Sequence, residues 1–275
     1  MNKTLRKICF RIFSVIVMIL MLTDIGFPQK GGCLGGSAWA ELPANAYEDH
    51  FALSARDIGP SRKLLGDVTI MLAFVSTPEH PWTPEKKQEV FDVSDSSVRI
   101  MTEAAREYGA ELNLKYRTLD YSISCEYNKD RAWYKEILNK FYKVQDMAVI
   151  QQRYRRFLNV DSAPMIFLFN SWDQSITYVC SANTPTWNDE MCVIFCDTKM
   201  HDNYLTHELF HQYGAIDLYD YNGEGVKAAA DRIFSHSCMR EVSHTVDELT
   251  AFLIGWTDKL SVKTQKFLDE TKGLR

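Results

Sequence analysis

The stretch Tyr204-Leu205-Thr206-His207-Glu208-Leu209-Phe210-His211-Gln212-Tyr213-Gly214-Ala215-Ile216-Asp217 carries H-E-x-x-H, extended to H-E-x-x-H-x-x-G-x-x-D. Five fixed positions coincide by chance in about one of ten thousand chains of this length, so the match is specific where H-E-x-x-H alone is only suggestive. On a helix, residues four apart share one face, so His207 and His211 present imidazole nitrogens to a single metal ion. Glu208 is displaced around the helix, which suits it to take a proton from water instead of binding the metal; it is the expected general base. Gly214 can adopt the left-handed conformation that ends a helix, and the chain then swings back so that Asp217 returns as third ligand. Three protein ligands and an open fourth position make a catalytic zinc site, whereas structural zinc is closed by four. The chemistry expected is hydrolysis of a peptide bond by a zinc-held water that Glu208 activates. An aspartate as third ligand leaves the site at about +1, against about +2 for three neutral histidines, which predicts a less acidic water.

Upstream, Val68 to Val75 is an apolar run bounded by Gly66-Asp67 and Ser76-Thr77-Pro78, the mark of a buried strand. Thr83-Pro84-Glu85 supplies an N-cap, a proline at the first helical position and an early acid. Val90, Val98, Met101, Ala105 and Tyr108 follow at helical spacing up to Gly109, predicting a long amphipathic helix. Leu112, Leu114 and Tyr116 alternate with Asn113, Lys115 and Arg117, as in a strand with one wet face. Asp130 to Leu158 reads as a second helical stretch, and its Arg153, Arg155 and Arg156 read as a solvated face. Met165 to Phe169, Ser175 to Cys180 and Met191 to Cys196 read as strands. No repeat or linker interrupts the chain after residue 67, so one α/β (α+β) domain over 67–275 is expected. Residues 41–66 are a polar lead-in, open between a linker and an inhibitory pro-segment.

On the H-E-x-x-H-x-x-G-x-x-D motif the chain resembles the metzincin clan of zinc metallopeptidases, and within it the bacterial enzymes with an aspartate third ligand, such as snapalysin-like peptidases. The resemblance implies Zn2+ as cofactor and a twisted mixed sheet with long helices and an active-site helix. It also implies a small C-terminal subdomain, in which a tight turn carries a methionine beneath the metal and a C-terminal helix follows. Ser235-His236-Ser237-Cys238-Met239 matches that turn, Met239 matches the methionine, and Val246 to Thr257 matches the helix, with Leu249, Phe252, Leu253 and Trp256 as its buried face. A peptide or protein substrate is then expected in extended form along the edge strand Ser175 to Cys180. Tyr219 or Tyr221 is open between a phenol for the oxyanion and simple packing. Cys238, directly before Met239, departs from the pattern and reads as a packing residue or disulfide partner, not a ligand. Asp217 has a second reading as a turn cap. In that case Glu248 becomes the third ligand, as in the gluzincin arrangement. His201, His236 and His244 read as structural or solvent-exposed.

The composition, 46% hydrophobic and 24% charged over 275 residues, is that of a folded globular protein. Lys3, Arg6, Lys7, Arg11 and Lys30 against Asp24 give residues 1–40 a net charge of +4. Taking that from the chain's −5 leaves −9 on the rest, which argues against nucleic acid as a partner. The apolar run Ile12 to Leu22 is too short to span a bilayer but suits a signal-peptide core, and Ala38-Trp39-Ala40 has the small-x-small form of a cleavage site. Residues 1–40 therefore read as a signal peptide or, if uncleaved, as an N-terminal anchor and the expected membrane contact. The expected location is extracytoplasmic, secreted or at the cell envelope. Cys125, Cys180, Cys192, Cys196 and Cys238 form no C-x-x-C pair; in an exported protein they read first as disulfides, with Cys180 and Cys192 across the turn-rich loop 181–189 as the candidate pair. The function expected is an exported zinc endopeptidase. The alternatives are a non-catalytic binding or adhesion protein on the same scaffold and a membrane-anchored envelope component whose metal site is incidental. The presence of Glu208 beside both histidines favours the hydrolase.

Overall fold

The computed structural model describes residues 51–128, 130–180, 188–197, 200–219 and 222–273. The signal-peptide or anchor segment, the start of the lead-in, Tyr221 and most of the 181–189 loop lie outside the described residues. Among those described, no helix is long and apolar enough to cross a membrane.

The chain runs β1 (Gly66–Ser76), α1 (Pro84–Glu107), β2 (Leu112–Ser122), α2 (Ala132–Ile137), a π-helix (Leu138–Tyr142), α3 (Met147–Leu158), β3 (Met165–Phe169), β4 (Ile176–Tyr178), β5 (Met191–Phe195), α4 (Asp202–Gln212), α5 (Glu224–Ile233), α6 (Glu248–Leu253) and α7 (Val262–Thr271). The sheet order is β2-β1-β3-β5-β4, with every neighbouring pair parallel except the edge strand β4, which runs antiparallel to β5. This is a mixed α/β fold with a mostly parallel five-stranded sheet. β1 reads as a continuous apolar run because it is covered on both faces. Val68, Ile70, Leu72 and Phe74 pack in the core that holds α1 and α4, while Met71, Ala73 and Val75 pack in the core that holds α2 and α3.

α1 begins where the sequence predicts: the Thr83 side chain accepts from the Lys86 N–H and Pro84 opens the helix, so two orphan N-terminal groups are dealt with locally. The single helix expected over 130–158 is three pieces instead. Lys143 turns left-handed at φ 54, and Asp146 starts a new helix by accepting from Val149 N–H. A helix-capping aspartate competes for N–H groups that a continuous helix would use, and the break lets Trp133, Ile137, Met147 and Ile150 all enter one core.

The C-terminal helix is likewise shorter than Val246 to Thr257. Asp247 caps α6 by accepting from Thr250, and Gly255 at φ +87 ends it. Trp256 stays buried, its indole N–H donating to Leu64 O at 2.7 Å. α5 and α7 lie beyond what the periodicity predicts.

The described part of the lead-in packs on the body. Arg56 lies over the Phe252 ring at 3.7 Å and pairs with Asp258 at 2.7 Å, and Ser61 N–H donates to the buried Glu190 carboxylate at 3.0 Å. The disulfide expectation is overturned: none of the five described cysteines forms a disulfide. Cys180 and Cys192 serve different neighbourhoods, the first beside Gly59 and Glu190, the second against α4 with its thiol donating to Glu208 O at 3.1 Å.

Candidate metal centre

α4 carries the two histidines. Its N-terminus is tied to α1 through Ser96 and Ser97, whose hydroxyls donate to the Asp202 carboxylate and carbonyl, and Leu205, Leu209 and Phe210 bury its inner side. His207 and His211 therefore emerge from a helix with little freedom to shift. At its end, Gly214 takes φ +97, and a Cβ there would stand 2.8 Å from Ala55 O, so both conformation and space demand glycine. The turn sends Ala215 N–H back to Phe210 O at 3.0 Å and brings Asp217 over the helix. Leu218 N–H then donates to Met239 O at 2.9 Å, and Asn222 donates to Asp217 O at 2.7 Å, so both polar groups of the 217–218 peptide unit that follows the carboxylate are held.

The three candidate ligand atoms form a nearly equilateral triangle. His207 Nε2 and His211 Nε2 are 3.1 Å apart, and Asp217 Oδ1 lies 3.2 Å from the first and 3.1 Å from the second. A tetrahedral ion with bonds of about 2.0–2.1 Å spaces its ligands about 3.3 Å apart, so the triangle has the size such an ion requires. The rear nitrogens are engaged: His207 Nδ1 meets Cys238 O at 3.0 Å and His211 Nδ1 meets Ala215 O at 2.9 Å. Carbonyls only accept, so each Nδ1 carries a proton, and in the neutral ring each Nε2 offers a lone pair. With both rings neutral, two lone pairs and a carboxylate face one another without a donor, a conflict that either a cation or a proton on an imidazole Nε2 resolves. The donor set fits a metal ion.

The carboxylate and imidazoles also perturb each other. Burial alone would lower the His211 pKa, but the hydrogen bond and charge of Asp217 outweigh it and raise it to about 9. Burial would raise the Asp217 pKa, yet hydrogen bonds from His207 and His211 hold it well below the usual carboxylate range.

Glu208 does not join the triangle. It lines, with His207, Tyr219, Cys238 and the rim residues Trp172 and Arg240, an open cleft of about 410 Å³. Met239 is fully buried, and its turn contributes two carbonyls, Cys238 O to His207 and Met239 O to Leu218 N–H. Cys238 thus packs and lends a backbone atom, with a free thiol. Tyr219 stacks on His207 with ring centroids 6.2 Å apart.

Glu248 stands apart from the triangle. Its carboxylate accepts from Ser261 N–H at 2.8 Å and from the hydroxyls of Ser261 and Thr264 at the start of α7, so the carboxylate beside the two histidines is Asp217. His236 faces Glu241 at 3.2 Å, His244 faces Asp202 at 2.8 Å and His201 meets Tyr204 edge-on, so none of them joins the triangle. The sequence reading missed Thr177, whose hydroxyl donates to the Glu208 carboxylate, and the two carbonyls behind the histidines. Carbonyls leave no trace in a side-chain pattern. Thr177 left one, as the polar residue between Ile176 and Tyr178.

No family model matches the chain, and no curated protein matches it. Among solved structures the chain is similar to the crystal structure of metalloproteinase-II from Bacteroides fragilis, at 14% identity over 70% of this chain and 53% of that one, with a TM-score of 0.36. The chain spans about half the length of that neighbour. A likeness this distant carries no argument for fold or activity, which rest on the geometry above.

Proposed function

We propose that the protein is a zinc-dependent endopeptidase of metzincin type. The observation that carries the reading is the Nε2, Nε2, Oδ1 triangle with both rear nitrogens held by carbonyls, set beside Glu208 in an open cleft. Nitrogen and oxygen donors from three side chains suit zinc with a free coordination position. Bound there, the ion would polarise the scissile carbonyl and lower the pKa of water towards about 7. His207, His211 and Asp217 would hold it, and the Asp217 charge would offset half of the ion's. Glu208 takes the proton of the attacking water and passes it to the leaving amine. Tyr219, which packs against His207 and lines the cleft, is the candidate phenol for the oxyanion. β4, an antiparallel edge strand, offers its outer main chain to an extended peptide. The basic and apolar run within residues 1–40 supports export from the cytoplasm.

The test is zinc content and cleavage of an unbiased peptide mixture by the purified protein, beside Glu208→Gln. One zinc on both proteins and cleavage by the parent alone supports the proposal. Zinc without cleavage by the parent replaces it with the binding or adhesion protein, and absence of zinc overturns both.

A further inference from the structure

Glu208 sits on a helix, but what orients its carboxylate comes from the sheet. Thr177, in the middle of β4, pairs with Cys192 of β5, and both side chains face α4 at the level of Glu208. The Thr177 hydroxyl donates to Glu208 Oε2, and among the described residues it is the one hydrogen-bond donor to that carboxylate. The same hydroxyl oxygen lies 3.1 Å from the Glu208 carbonyl and 3.3 Å from the Cys192 sulfur. A hydroxyl has one proton, so it can serve either the carboxylate or the carbonyl. The carboxylate is the nearer acceptor, at 2.5 Å, and the Cys192 thiol, kept protonated by burial and 3.1 Å from Glu208 O and 3.3 Å from Gln212 Oε1, has the carbonyl as its own nearer acceptor, which leaves the Thr177 proton to the carboxylate.

We infer that Thr177 is a positioning residue for Glu208, a hydroxyl on the substrate-side edge strand that fixes the rotation of the general base. The inference rests on the peptidase reading above. A glutamate has three rotatable bonds, and proton transfer needs its carboxylate aligned with the attacking water, so an unheld base spends much of its time turned away. Threonine suits the task because its β-branched side chain is stiff at χ1, so the backbone of β4 determines where the hydroxyl points. A peptide added to the outer edge of β4 would immobilise the backbone that aims this hydroxyl. Substrate binding and alignment of the base are thereby coupled through one residue that touches neither the ion nor the scissile bond.

The experiment compares the zinc-loaded parent with Thr177→Val and Thr177→Ser. Valine keeps the shape and strand preference but lacks the hydroxyl; serine keeps the hydroxyl. Four readouts are taken: zinc per chain, melting temperature, kcat and KM on a peptide the parent cuts, and the Glu208 conformation in crystal structures. Zinc stays at one per chain in all three. In Thr177→Val kcat falls about 10- to 100-fold with KM within about twofold, and Thr177→Ser restores kcat to within about threefold of the parent. Glu208 has one conformation in the parent and several in Thr177→Val. The inference is overturned if Thr177→Val keeps its kcat, if serine fails to restore it, or if the loss appears in zinc content or KM instead. If the zinc-loaded parent cuts no peptide, the peptidase reading fails by itself. The crystal structures then decide the positioning role, and an unchanged, ordered Glu208 in Thr177→Val overturns it.

Discussion

His207, His211 and Asp217 bring one ligand atom each within 4.8 Å of one another, and so do Glu79, His80 and Glu126. The resemblance ends with that distance. In the first group every side chain is mostly buried, each imidazole is anchored at its rear nitrogen, and the peptide unit after the aspartate is held at both its carbonyl and its N–H. In the second, Glu79 and His80 are exposed, and the Glu126 carboxylate accepts from Glu79 N–H at 3.0 Å, which closes a turn that His80 N–H also supports by donating to the Thr77 hydroxyl at 3.2 Å. Proximity there follows from turn closure. A metal site needs ligands whose orientation is settled before the ion arrives, since the ordering cost otherwise falls on binding.

Substitutions can break this contrast. The largest effect is expected from His207→Ala or Asp217→Ala: zinc content measured by elemental analysis drops from one per chain to none, and cleavage disappears with it. Retention of zinc by Asp217→Ala would remove it from the ligand set. Glu208→Gln should keep its zinc and lose cleavage by about 10²- to 10⁴-fold, measured as kcat/KM on the same peptide.

Gly214→Ala comes next. A Cβ at φ +97 and 2.8 Å from Ala55 O must push the turn that supplies both Asp217 and the Ala215 carbonyl. We expect a loss of about 1–3 kcal/mol in thermal or denaturant unfolding together with about 10- to 100-fold weaker zinc binding. Unchanged zinc affinity would show that the turn shapes the fold without shaping the site.

The pH dependence sharpens the comparison further. In the metal-free protein the raised His211 pKa contributes stability that is complete below about pH 6.5, the unfolded value, and is lost as the pH rises through about 9. The lowered Asp217 pKa contributes stability above about pH 3.8, lost on acidification. Zinc competes with the His211 proton, so its affinity should climb by up to about tenfold per pH unit between about 6.5 and 9 while the metal-free melting temperature falls. Calorimetric titrations at several pH values check this, and a flat affinity would mean that the imidazole is already unprotonated. The smallest effect belongs to His80→Ala: stability within about 0.5 kcal/mol of the parent and unchanged zinc stoichiometry, since it disturbs only an exposed turn.

Much of the fold was legible because its signals are local. The Thr83-Pro84 start of α1, the apolar runs of β1, β3 and β5, and the glycine stop after α4 each depend on residues within one turn or one strand. The segment 130–158 misled because periodicity survives a break: Asp146 looks like an ordinary helix residue until its carboxylate is seen capping Val149 N–H. The pairing of Cys180 with Cys192 failed for a related reason. Their spacing fits a bridge, yet β5 turns Cys192 towards α4, where Glu208 O takes its thiol.

By itself the sequence determined the metal-binding candidates, the candidate general base and the class of fold, since four-residue spacing on a helix and apolar periodicity are geometric consequences of backbone structure. Tertiary structure decided the rest: Asp217 over Glu248 as third partner, the carbonyls of Ala215 and Cys238 as anchors, and Thr177 as the donor to Glu208. Those contacts join residues up to 31 positions apart, three of them through a backbone carbonyl or a strand face. Such partners are chosen by how the chain packs, and packing is a property of the assembled core instead of any local run of residues.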